Sequence, residues 1–161
     1  MRAPKYSAAF TLIELMVTLT IVAILAAIAI PSFQTFFVSS RAQTQTANFV
    51  EALNYARSEA VRRAVNVELA ANSGSNWHSG WVVRVPGSGT NLRVQPAFTG
   101  DATMTSMPST IVFNNLGQLS GVNAGDSVTV RYCFATGNDN QERFVVINHV
   151  GHLRSGRQVC P

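Results

Sequence analysis

Before residue 74 the chain contains no glycine; all eleven of its glycines lie from Gly74 onward, with four of its six prolines. A glycine-free segment followed by one dense in turn residues reads as a long helix and then strands and turns. Catalytic signatures are missing too: there is no Gly-x-Ser-x-Gly elbow, no phosphate-cradling glycine loop and no His-Glu-x-x-His pair. The expectation is a protein that is not an enzyme. Metal ligands are scarce. His149 and His152 have HxxH spacing across an expected turn, and His78 stands in a loop between Trp77 and Ser79. No further ligands accompany them at a recognisable spacing, so they read as surface or turn histidines, and no cofactor or metal is expected. The two cysteines, Cys133 and Cys160, lie too far apart to be a ligand pair. With no internal repeat, low-complexity tail or linker, the 161 residues leave room for one modest domain beyond the N-terminal segment.

Charge is also thin where it matters. Net charge is +4, but beyond Pro31 there is no lysine, and ten arginines face seven acids, leaving +3. Such mild basicity permits an acidic partner without demanding one. Between Phe10 and Ile30 the only charge is Glu14, in an otherwise apolar run with three threonines. About 20 apolar residues span a bilayer as a helix. The short leader before it carries Arg2 and Lys5 and no acid, which keeps the N-terminus cytoplasmic and sends the remainder across the membrane.

Glu14 is out of place there. A carboxylate in a spanning segment costs energy, roughly 2.5–3.5 kcal/mol for Asp on insertion scales. Either Glu14 lies close enough to the headgroups to reach water, or it has a partner. An ordinary secretory signal cut after Ala27-Ile28-Ala29 is disfavoured, because the apolar run is too long for one and Glu14 would interrupt it.

The residues Ala9-Phe10-Thr11-Leu12-Ile13-Glu14-Leu15 resemble the processing motif of type IV pilins and type II secretion pseudopilins. The resemblance implies cleavage by prepilin peptidase between Ala9 and Phe10 and N-methylation of Phe10. It implies that Glu14 pairs with the N-terminal amine of a neighbouring subunit, and that Pro31 is the helix-kinking proline of the family. Ala9 departs from the glycine usual at that place. Implied partners are other pilins or pseudopilins and the peptidase. The implied location is the inner membrane, single-pass with a periplasmic head, and then a pilus or pseudopilus.

Beyond Pro31, Phe33, Phe36, Phe37, Phe49, Leu53, Ala56 and Ala60 recur at helical spacing, making one face suited to lie on a folded domain. The opposite side is assigned Arg41, Gln45, Glu51, Arg57, Glu59 and Arg62. The Phe33–Phe37 cluster reads as a helix–helix contact. From Val65 the period becomes two, through Val67 and Leu69. Further strands are expected at 81–85, 91–95, 110–114, 127–134 and 142–148, with a turn-rich stretch at 72–80 and a polar loop after 95. The expected fold class is α+β: a long N-terminal α-helix packed on an antiparallel head of two small sheets, pilin-like. The expected divisions are leader 1–9, transmembrane helix 10–30, amphipathic continuation 31–64 and β-rich head 65–161.

The stretch Glu51-Ala52-Leu53-Asn54-Tyr55-Ala56-Arg57-Ser58-Glu59-Ala60 is similar to the helix of FimT/FimU minor pilins and GspH pseudopilins. Ile111–Gly117 and Val145–Asn148 resemble their strand–turn segments, leaving Asn72–Ser109 unmatched. In an oxidising periplasm Cys133 and Cys160 are expected to pair, the alternative being two free thiols. A bridge would add roughly 3–4 kcal/mol and pin the C-terminus. After Glu142 no acid follows, yet Arg143, Arg154 and Arg157 remain near His149 and His152. An acid-free arginine cluster on a turn can contact phosphates. FimT-type pilins associate a C-terminal GRxR motif with DNA capture. The matching place here is Gly151-His152-Leu153-Arg154, with His152 where that motif has arginine. The second reading is therefore a DNA receptor using Arg143, His152, Arg154 and Arg157; the alternative is a solvated end pinned by Cys160.

Overall fold

The computed structural model describes residues 10–98, 102–105, 108–134 and 141–159. One helix, α1 (Leu12–Arg63), is followed by eight strands: β1 (Val67–Ser73), β2 (Asn76–Arg84), β3 (Asn91–Gln95), β4 (Ala102–Thr105), β5 (Thr110–Phe113), β6 (Ser127–Phe134), β7 (Gln141–Asn148) and β8 (Leu153–Val159). The chain divides into two compact units, 1–37 and 38–161.

In the first unit, Leu12–Ile30 is a 19-residue apolar helical stretch with its side chains outward. At 1.5 Å per residue it measures about 28 Å, the thickness of a hydrocarbon core. Its threonines do not leave hydroxyls unsatisfied: Thr18 Oγ1 donates to Leu15 O at 2.9 Å and Thr20 Oγ1 to Val17 O at 2.8 Å. Pro31 lies inside α1, where its ring removes one backbone donor.

In the second unit the helix buries Ala42, Gln45, Thr46, Phe49, Ala52, Leu53, Ala56, Glu59 and Ala60, a stripe at three- and four-residue intervals. Two of these correct the sequence reading. Gln45 and Glu59 were assigned to the opposite side, yet they are only 8% and 6% exposed. Glu59 tolerates this because Arg62 and Arg63 both reach its carboxylate, each at 2.6 Å. The helix ends without a glycine. Ala64 takes the left-handed conformation (φ 55°), its N–H donates to Val61 O, and Val65 N–H donates to Ala60 O. This pair of bonds is a Schellman motif. It holds Val65 in the helix terminus, so β1 begins two residues later.

Both sheets are four-stranded and antiparallel, ordered β3-β2-β1-β5 and β4-β6-β7-β8. The first supplies Val67, Leu69, Trp77, Trp81, Val83, Ile111 and Phe113 to the core; the second supplies Val130, Val145 and Ile147. Phe49 of α1 meets Trp77 and Trp81 edge-on, with ring centroids at 5.4 and 5.2 Å. The stretch expected to be turn-rich is mostly strand: β2 starts at Asn76, and Ser73 pairs with Asn76 across a tight hairpin. Gly80 lets β3 approach, since a Cβ there would lie 2.2 Å from Gln95 O. β4 and β8, both unexpected, are the outer strands of the second sheet.

Candidate functional site

Two regions carry the residues singled out from the sequence. At the first, Ala9 lies outside the described residues, and Phe10 is 79% exposed at the start of the chain described. Thr11 caps α1: the Glu14 N–H donates to Thr11 Oγ1 at 3.3 Å and the Leu15 N–H to Thr11 O at 3.2 Å. Glu14 therefore stands in the first helical turn, where the helix dipole favours an acid. Its side chain is exposed, and it makes no ion pair among the described residues.

The second region is the β7–β8 hairpin. Its turn is built by Asn148, whose Oδ1 accepts from the His152 N–H at 2.7 Å while its carbonyl accepts from the Gly151 N–H at 2.8 Å. The β5 exit is built the same way: Asn114 Oδ1 accepts from Leu116 and Gln118, and its carbonyl accepts from Gly117. Arg57 of α1 joins the two turns. Its Nε donates to Gly117 O at 2.9 Å and its Nη2 to Val150 O at 3.2 Å. Helical spacing puts Arg57 opposite the apolar face and does not reveal this joint. The repeated Asn-x-x-Gly, at 114–117 and 148–151, was its available signal.

The four residues of the DNA reading do not form one surface. Arg154 and Arg157 stand on strand β8 rather than on a turn. In β7, Val145 and Ile147 are buried, so odd positions face the core. Arg143 continues that face and pairs in register with Arg157. Arg154 opposes Val146, and the β7–β8 turn places His152 beside Asn148, on the other face. Arg143 Nε and Nη2 are buried without a hydrogen-bond partner among the described residues, and burial, then the charge of Arg157, holds the pKa of that guanidinium below its ordinary value. Of the cysteines, Cys133 stands on β6 in register with Glu142, and Cys160 lies outside the described residues. His149 and His152 gather no third ligand: among the described residues no group of three His, Cys, Asp or Glu is placed to hold a metal.

Among the described residues, the remaining arginine–acid contacts are internal to the second unit. Arg93 hydrogen-bonds Glu51 at 2.7 Å over the Tyr55 ring, and Arg84 binds Glu68 across β1 and β2. Hydrogen bonds from Arg62 and then Arg63 hold the Glu59 carboxyl below the usual carboxylate range.

Comparison with known proteins completes the picture. The family model described as Type II transport protein GspH matches residues 45–151, and that for the prokaryotic N-terminal methylation motif matches residues 4–30. Two crystal forms of the type IV minor pilin FimU of Pseudomonas aeruginosa PAO1 share the fold. The P65 form has 25% identity and a TM-score of 0.60, over 71% of this chain and 91% of that one. The P21 form has 25% identity and a TM-score of 0.56, over 77% and 88%. No curated protein matches significantly. An apolar N-terminal helix behind a methylation motif, with a two-sheet head matched from α1 to the β7–β8 turn, places this chain in the GspH/FimU family of type IV minor pilins and type II secretion pseudopilins.

Proposed function

We propose that prepilin peptidase cuts this chain between Ala9 and Phe10 and methylates Phe10, and that the product is assembled through α1 into a type IV pilus or type II secretion pseudopilus. Before assembly it is anchored in the inner membrane with its head in the periplasm. Divisions at 1–9, 10–30, 31–64 and 65–161 follow from that reading. The observation that carries it is Glu14: an exposed acid at the head of a bilayer-length apolar helix, without a cation of its own among the described residues. A neighbouring subunit's amine at Phe10 supplies that cation. Phe33, Phe36 and Phe37, all exposed in the single chain, then become helix–helix contacts, with Pro31 shaping that stretch. A Cys133–Cys160 bridge belongs to the same periplasmic reading, and the mass after alkylation without reductant reads it.

The test is the mass and N-terminal sequence of the membrane-bound protein with and without prepilin peptidase. A methylated Phe10 start that depends on the peptidase is expected; an unchanged mass on its removal overturns the reading. Glu14→Ala should be processed normally yet fail to enter the filament. The DNA-receptor reading has less support, because its arginines lie on two faces of the sheet. A salt-titrated shift assay with Arg154→Ala and Arg157→Ala decides it.

A further inference from the structure

The sheet formed by β4, β6, β7 and β8 sets two like charges side by side on its core-facing surface. Arg143 and Arg157 are direct cross-strand partners, and like charges in that position repel. Alternation continues the row of Val145 and Ile147 into Arg143, which takes Nε and Nη2 out of solvent with no hydrogen-bond acceptor among the described residues. Guanidinium nitrogens buried without an acceptor are costly, and no acid among the described residues is paired with this one. Among the described residues Glu51, Glu59 and Glu68 are each engaged by another arginine, and no Asp or Glu follows Glu142 in the sequence. Arg157 makes no ion pair among the described residues either.

We propose that Arg143 and Arg157 form a site for a single oxyanion, a carboxylate or phosphate, that enters from outside the chain. A planar guanidinium fork is suited to such a group, and two forks facing it would satisfy the orphaned donors and cancel the repulsion together. The buried fork of Arg143 fixes the anion, while the exposed Arg157 closes over it and sets access. Arg154, three residues from Arg157 and on the opposite face, takes no part.

The full chain in non-ionic detergent tests this by its unfolding midpoint, in rising phosphate or acetate against chloride at matched ionic strength. A saturable rise is expected in the unaltered protein and in Arg154→Gln, and its loss in Arg157→Gln. Arg143→Met, which removes the buried charge, should raise the midpoint in chloride and abolish the response to either anion. A response to acetate as strong as that to phosphate points to an acidic side chain as the natural group. A response confined to phosphate points to a phosphate ester or free phosphate. Saturation that persists in Arg157→Gln, a rise without saturation (an adventitious ion only), or a lower midpoint for Arg143→Met in chloride overturns the proposal.

Discussion

Arg57 and Gly117, sixty residues apart, are joined by a 2.9 Å hydrogen bond from Nε to the glycine carbonyl. The same guanidinium reaches Val150 O, so one helical side chain ties the exit of β5 to the turn that starts β8. Arg57→Leu keeps the aliphatic stem but loses both bonds. It should lower unfolding stability by about 1–3 kcal/mol, as read by denaturant melts of the detergent-solubilised protein.

Gly151 belongs to the same joint. It has φ 78° and a Cβ on it would lie 2.3 Å from Gly117 O, whereas Gly121, also at φ 78°, has open space around it. Ala at either position meets a left-handed backbone cost of about 1 kcal/mol. Gly151→Ala should cost at least about 1 kcal/mol more than Gly121→Ala, the difference reporting the contact alone. Combined with Arg57→Leu, it should show non-additivity, since both act on the Gly117 carbonyl.

At the end of α1, Ala64 occupies the left-handed position that glycine usually fills. Ala64→Gly is expected to raise stability by about 0.5–1 kcal/mol. A melt unchanged or lowered by this substitution would count against the helix stop described above.

Acid sensitivity should trace in part to Glu59. Its pKa is lowered from 4.5 by hydrogen bonds from Arg62 and Arg63. A depressed carboxyl pKa stabilises the fold above the unfolded-state value and loses that contribution as pH falls through the folded-state value. Stability of the unaltered chain should therefore fall as pH drops below about 4.5. Glu59→Gln should be less stable at neutral pH and show a shallower acid slope, measured by unfolding midpoints across that range.

The long helix, the two-sheet head and strands β5, β6 and β7 were legible in the sequence because their residues pack, and β3 because the Pro-Gly-Ser-Gly turn at 86–89 precedes it. Glycine exclusion marks α1, and alternation of buried valines and aromatics marks the inner strands. β4 and β8 are outer strands, held by backbone bonds to one neighbour, so Ala-Thr-Met-Thr and Leu-Arg-Ser-Gly-Arg-Gln-Val need no apolar rhythm. The stretch at 72–80 looked like a loop because Gly74, Gly80 and the asparagines dominate its composition, while Trp77 and Trp81 carry its burial. At the basic end, residue order alone put Arg154 and Arg157 together. Only the strand assignment, and with it the two-residue period, separates them.

The placement of arginines on β8 has a consequence for crowding. A strand with one paired side leaves a row of amides and carbonyls able to recruit a strand from another molecule. In the filament proposed above, that hazard would grow with local concentration. Arg154 and Arg157 put positive charge on both faces of β8, so two such strands brought edge to edge repel whichever way they are turned. In such a filament this charge would keep neighbouring heads from fusing into a common sheet.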